Sequence, residues 1–140
     1  MVVTVGTFIL AVVVTQVITF VLDALLYMNP LAAKYYKKYE DHPSMRKGGS
    51  QGKWMMQMFI LSFISVFLAG LFFFITANAI PGTGWTKGLV FGLLLAGVQV
   101  YPRYVYFFML TSYPKELRNV EFINGIIETI VIGLVFVYFL

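Results

Sequence analysis

A chain of 140 residues that is 60% hydrophobic and only 11% charged is too apolar to be a water-soluble domain. Its net charge of +4 does not indicate nucleic-acid binding, because the basic residues adjoin long apolar runs, where lipid headgroups are the nearer anions. Cysteine is absent, which excludes thiol chemistry. The single histidine, His42, falls in a polar loop, which argues against a histidine-based metal site or catalytic triad within one chain.

Four apolar runs predict four transmembrane α-helices in a single domain that covers residues 1–140. The runs extend over about residues 3–28, 54–77, 85–110 and 119–140. Each can cross roughly 30 Å of hydrocarbon at 1.5 Å per residue. We expect the first run to be a retained helix that ends at Asn29-Pro30, and the short connection 78–84 to make the second and third helices an antiparallel hairpin. The predicted fold is all-α, an integral membrane bundle of four helices in up-down order.

The basic residues are concentrated in two of the three connections. The segment 29–53 holds Lys34, Lys37, Lys38, Arg46, Lys47 and Lys53. The connection between the third and fourth runs adds Lys115 and Arg118, whereas the opposite side has Lys87 alone. Because positive charge stays on the cytoplasmic side, both basic connections should face the cytoplasm and both termini should be non-cytoplasmic. We expect a multi-pass protein of a prokaryotic plasma membrane.

The start of the basic segment has a helical pattern of its own. Leu31, Tyr35 and Tyr39 share one face at helical spacing, with lysines on the flanking faces, which predicts a short interfacial helix. Two interpretations stay open. The lysines could dock anionic lipid headgroups or a partner, or the tyrosines and lysines could simply reach for the membrane boundary.

Three ionisable residues fall inside the apolar runs, where an unpaired charge costs roughly 2.5 to 3.5 kcal/mol. Counted from the cytoplasmic ends of their helices, Arg103 and Glu128 lie roughly 13 Å deep and Asp23 roughly 9 Å deep. A long arginine side chain can reach both acids from this position. The sequence therefore predicts an acid–arginine–acid cluster in the inner half of the bundle.

Further polar residues extend this cluster. Gln99 precedes Arg103 by one helical turn, and Glu121, Asn124 and Glu128 recur on one side of the fourth helix. The charge cluster has two interpretations. It could be a structural salt bridge that fixes helix register, or it could be a conducting, proton-handling or anion-binding site. We expect no enzyme activity, metal or cofactor, because no nucleophile motif or ligand set accompanies the charges.

Small residues recur at four-residue intervals on the third and fourth helices. They are Gly88, Gly92 and Ala96 on the third helix, and Gly125, Thr129 and Gly133 on the fourth. Stripes of this kind let helix backbones approach closely. We expect the two helices to pack tightly, either with each other or across a homodimer.

Three segments resemble a widespread family of four-helix membrane proteins of unknown function, DUF1761. They are LDALLYMNPL at 22–31, KGLVFG at 87–92 and NGIIET at 124–129. The resemblance spans nearly the whole chain. It implies the four-helix membrane fold and no particular activity.

These observations leave three hypotheses for function. The first is a structural or accessory subunit that joins itself or a larger membrane complex through the glycine stripes. The second is a small oligomeric transporter or channel that lines a path with a cluster of five polar residues, Asp23, Gln99, Arg103, Asn124 and Glu128. The third is a lipid or apolar-ligand binding protein that uses Arg103 and the nearby aromatic run of Tyr101, Tyr104, Tyr106, Phe107 and Phe108.

Overall fold

The computed structural model describes residues 4–45 and 50–140, and within these ranges the chain is entirely helical, with five α-helices and no strand. The helices are α1 Val5–Met28, α2 Pro30–Lys38, α3 Gln51–Thr76, α4 Trp85–Leu110 and α5 Lys115–Phe139. All but α2 are long and apolar enough to cross a membrane, as expected of a multi-pass membrane protein. Arg46 and Lys47 of the predicted basic segment lie outside the described residues, as does the predicted helix start at residue 3.

Local capping sets the helix boundaries. Asn29 ends α1 and begins α2, because its side-chain oxygen accepts from the backbone N–H groups of Leu31 and Ala32, each at 3.0 Å. The Ser50 hydroxyl accepts from the Lys53 backbone N–H, which lets α3 begin three residues before the predicted residue 54. Pro114 precedes the first turn of α5, which starts at Lys115 and not near 119.

The helix α5 is the centre of the bundle. It packs most extensively on α4 and also contacts α1, α2 and α3, whereas α3 packs mainly on α1. The expected hairpin of α3 and α4 is therefore loosely packed. Its ring contacts include that of Phe73 with Phe91, whose centroids lie 4.9 Å apart in an edge-to-face arrangement. A gap between α3 and α4 follows from this loose packing.

Glycine brings α4 and α5 into backbone contact. A Cβ atom added to Gly92 would lie 2.5 Å from the Cα of Ile130, and one added to Gly88 would lie 2.8 Å from the carbonyl oxygen of Gly133. Ala96 and Thr129 are buried on the same two helices. The two small-residue stripes thus meet each other within one chain, the first of the two arrangements that the spacing allowed.

The apolar core lies where α1, α3, α4 and α5 meet. Phe73, Phe91 and Phe136 are buried there together, and Gly70 makes room for Phe136, since a Cβ on Gly70 would lie 3.1 Å from that ring. Phe73 and Phe136 stack with centroids 6.2 Å apart. Along α4 and α5, the charged residues Arg103, Glu121 and Glu128 lie nearer the α4–α5 connection than the core residues of the same helices.

Candidate functional site

A small pocket with polar walls opens between α3, α4 and α5 within the candidate spans. Its volume is about 70 Å³, and its polar lining consists of Ser65, Gln99, Arg103, Glu128 and Thr129. Pockets for drug-sized ligands occupy roughly 300 to 1,000 Å³. This pocket therefore suits a few water molecules or a small ion.

The backbone of α4 and α5 positions the charged walls. Gln99 and Arg103 are one turn apart on α4, and Pro102 between them removes a donor, so the carbonyl of Val98 loses its usual helical partner. Gly125 lets Val100 approach α5, because a Cβ at this position would lie 3.0 Å from Cγ1 of Val100, and Nη2 of Arg103 lies 3.4 Å from the same point. The pocket thus combines a guanidinium group, a carboxyl group and an amide.

Arg103 pairs with Glu121, whereas the predicted partners were Asp23 and Glu128. The Nη2 atom of Arg103 lies 3.6 Å from Oε2 of Glu121, and this is the only ion pair that Arg103 forms with another described residue. The guanidinium therefore reaches toward the end of the span, as a long basic side chain does when it seeks a polar boundary. The Arg103 side chain remains 47% exposed, against 18% for Glu121.

The carboxylate of Glu121 accepts hydrogen bonds from the hydroxyl groups of tyrosines in three separate segments. Tyr27 at the end of α1 donates to Oε2 at 3.2 Å, and Tyr113 before α5 lies 3.4 Å from Oε1. Tyr36 on α2 also donates to Oε1. Together with Arg103, these contacts tie α1, α2, α4 and α5 to one carboxylate. The sequence signal for this role was only the position of Glu121 on the polar side of α5.

Asp23 and Asn124 stand outside the pocket wall. Asp23 is half-buried and makes neither a hydrogen bond nor an ion pair with another described residue, although it lies within electrostatic range of Arg103, Glu121 and Glu128. Asn124 is buried, and its Nδ2 atom has no partner. Of the five predicted cluster residues, Gln99, Arg103 and Glu128 share the pocket.

The charges of this region do not balance. Three carboxyl groups, of Asp23, Glu121 and Glu128, interact electrostatically with the one guanidinium group of Arg103. With every group ionised, three negative charges and one positive charge would leave a net charge of −2. A low-dielectric span does not tolerate such an excess, so protons or a bound cation must compensate it. No group of three or more metal-ligating side chains in the described ranges is arranged to hold a metal ion.

The short helix α2, which follows α1 in the chain, is attached to the first turn of α5 by two side-chain contacts. Tyr39 donates to Glu116 at 2.9 Å, and Lys38 lies 3.2 Å from the same carboxylate in a largely exposed pair of small energetic weight. Burial, followed by the charge of Glu121, raises the pKa of Tyr36 above its ordinary value and the pKa of Tyr113 to about 12. Both hydroxyls therefore remain protonated donors near neutral pH.

A second polar contact, which sequence reasoning missed, joins α1 to α3. Gln16 is buried, and its Nε2 atom donates to the Ser62 hydroxyl at 2.7 Å and to the Phe59 carbonyl at 3.3 Å. Thr15 and Thr19 are buried beside it and donate to carbonyls of their own helix. Interhelical hydrogen bonds of this kind hold membrane helices together, so we assign this contact a structural role.

The predicted aromatic run does not surround Arg103. Tyr104 packs on Phe122 with ring centroids 4.8 Å apart, and Phe107 stacks on Tyr113 at 4.7 Å. Tyr101 and Tyr106 are exposed on the outside of the bundle. The rings of this run are divided between intrachain packing and the bundle surface.

A family model described as "Protein of unknown function (DUF1761)" matches residues 10–137. The match includes all of α2, α3 and α4 and nearly all of α1 and α5. No curated protein and no solved structure matches the chain.

Proposed function

This chain belongs to the DUF1761 family, as its sequence motifs predicted, and we propose that it is a small proton-handling transporter or channel. The observation that carries the proposal is the pocket in which Gln99, Arg103 and Glu128 meet inside the candidate spans. Buried ionisable groups are costly in a membrane, and proton relays are among the functions for which such groups are used.

The excess of carboxyl groups favours protons over anions as the transported species. Glu121 and Glu128 lie seven residues apart on α5, about 10 Å along the helix axis, and Asp23 interacts electrostatically with both. A proton on any one of these groups lowers the unbalanced charge of the whole cluster. Water in the pocket of about 70 Å³ would connect Glu128 to Arg103, and the ion pair of Arg103 with Glu121 extends this path toward the start of α5.

The exposure of the pocket supports an assembly of several chains. Gln99 and Arg103 are exposed on the outside of a single bundle, at a depth where lipid offers no polar partner. A second copy placed against the gap between α3 and α4 would cover both side chains and enclose a path. In the proposed arrangement both basic connections face the cytoplasm of a prokaryotic cell and both termini lie outside.

Proton flux into liposomes tests this function. The purified protein is reconstituted with an internal pH indicator, and a potassium diffusion potential is applied across the membrane. Wild type should acidify the lumen faster than protein-free liposomes, and Glu128→Gln and Arg103→Leu should reduce this flux at least about tenfold. Glu40→Gln makes the same chemical change at an exposed loop position and should leave the flux unchanged. Equal flux in all samples, protein-free liposomes included, rejects the proposal.

A structural or accessory subunit is the second candidate, and the exposed polar groups on α4 also support it. A larger partner could cover Gln99 and Arg103 as a second copy would. The glycine stripes are occupied within the chain, so this partner would have to bind at the gap beside α3. Native mass analysis after mild extraction separates the candidates. A homo-oligomer supports the transporter, a complex with another protein supports the accessory subunit, and a stable monomer contradicts both.

A further inference from the structure

Arg118 is a buried cation without a counterion. The residue is 9% exposed, and its Nε atom has no hydrogen-bond partner. Its guanidinium carbon lies 5.3 Å from the ring centroid of Tyr104 and 4.9 Å from that of Phe108. The two rings contact the cation favourably, but they supply no acceptor for its N–H donors.

The acidic residues of the chain are all engaged elsewhere or lie out of range. All six fall within the described residues, so a missing partner of Arg118 is not hidden in the ranges left out. Glu116, two residues away, pairs with Lys38, and Glu121 pairs with Arg103. Arg118 forms no ion pair in the part of the chain that the structure describes. The anion that this guanidinium requires must therefore come from outside the chain.

The position of Arg118 indicates which anion this is. Arg118 lies in the first turn of α5 and Phe108 in the last turn of α4, so the guanidinium is at the end of two candidate spans, where lipid phosphates lie. Lys115 is exposed one turn earlier on α5 and adds a second cation on the same side.

We propose that Arg118 binds the phosphate group of an anionic membrane lipid, held between α4 and α5 on a platform formed by Tyr104 and Phe108. The planar guanidinium offers N–H pairs that match phosphate oxygens, and the exposed ring of Phe108 faces the acyl region. This site is distinct from the pocket at Arg103, whose charge is already paired with Glu121.

Native mass spectrometry of the full chain in detergent tests the site. The delipidated protein is titrated separately with phosphatidylglycerol, phosphatidylcholine and inorganic phosphate. Wild type should retain one phosphatidylglycerol molecule under conditions that remove phosphatidylcholine, and Arg118→Met should weaken this binding at least about tenfold. Lys53→Gln also removes one positive charge, at an exposed position in the first turn of α3, and should change the binding less than about twofold.

Each remaining outcome decides the proposal. Displacement of the lipid by millimolar inorganic phosphate identifies free phosphate as the ligand, whereas no displacement identifies the lipid headgroup. If Arg118→Met does not fold, Arg118→Lys carries the test, because it retains the charge but loses the planar donor pair and should bind with intermediate affinity. Wild-type binding in the Arg118 variants, or an equal loss in Lys53→Gln, overturns the assignment.

Discussion

Gly133 lies directly against Gly88, so closely that a Cβ atom added to Gly133 would stand 2.1 Å from the carbonyl oxygen of Gly88. No real side chain tolerates this distance from a backbone atom. The closest contact between two spans is thus a contact between two peptide backbones, which requires that neither residue carry a side chain.

Replacement of Gly133 by alanine should therefore force α4 and α5 apart. We expect Gly133→Ala to lower the free energy of unfolding by about 1 to 3 kcal/mol, measured by chemical or thermal unfolding in mild detergent. Gly97→Ala is the matched control on α4, because a Cβ there meets nothing within 4 Å. The control should be neutral or slightly stabilising through its better helix propensity. Equal stability of the two variants would contradict the close contact.

The attachment of α2 through Tyr36 can be tested by hydrogen exchange. Tyr36→Phe removes the hydroxyl that donates to Glu121, and a hydrogen bond to a charged group contributes about 1.5 to 3 kcal/mol. Amide exchange in α2 should accelerate about tenfold or more, while exchange in α4 stays unchanged. Tyr35→Phe is the control, since its hydroxyl makes no hydrogen bond with the described residues. If both variants exchange alike, Tyr36 does not hold α2.

The alkaline stability of the protein should depend on Tyr113. Burial and the charge of Glu121 raise its pKa from the ordinary 10.0 to about 12 in the folded protein. The resulting stabilisation is complete below pH 10.0 and disappears as the pH rises through about 12. Melting temperatures in this window should fall less steeply for Tyr113→Phe than for wild type. A tyrosinate absorbance titration should also lose its step near pH 12 in this variant, whereas Tyr36, whose pKa is raised further, titrates later. Retention of the step near pH 12 would assign that step to another tyrosine.

The hydrogen-bonded contact of Gln16 between α1 and α3 should contribute little to the free energy of unfolding, although it is buried. Gln16→Met keeps the volume and removes the hydrogen bonds to Ser62 and Phe59. Such bonds between membrane helices contribute about 0.6 kcal/mol on average and up to about 1.7 kcal/mol. We expect a loss of stability in this range, and no change for Gln57→Met at an exposed position on α3. A loss well above this range would mean that Gln16 does more than join two helices.

The spans were predictable because their signal is local. Apolar length alone located α4 at residues 85–110, where the structure also begins and ends it. The starts of α3 and α5 were predicted three and four residues too late, because lysines near each start suggested a loop. In both helices these lysines belong to the first turn, which Ser50 or Pro114 precedes. A cap determines a helix start more directly than hydropathy does.

The partner of Arg103 was not predictable from depth alone. A rise of about 1.5 Å per residue gives the depth of the backbone atoms only. The arginine side chain is long enough to reach any of several acids that lie one or two helical turns apart. The three tyrosines that donate to Glu121 come from positions 27, 36 and 113, which are distant in sequence. Only the packing of α1 and α2 on α5 brings them together. The small-residue spacing, by contrast, did identify Gly88 and Gly133 as close-packing positions, although it left open whether they meet each other or a second copy of the chain.

The position of α5 also bears on how the protein is made. This helix contacts α1, α3 and α4, yet it is the last of the four candidate spans to be synthesised. Until it enters the bilayer, Gly88 and Gly92 lack the backbone that they contact, and Arg103 lacks Glu121, the acid with which it pairs. Before α5 is inserted, the earlier helices therefore lie in the membrane with polar side chains that lack their final partners. Insertion of α5 therefore completes both the core and the charged pocket in one step.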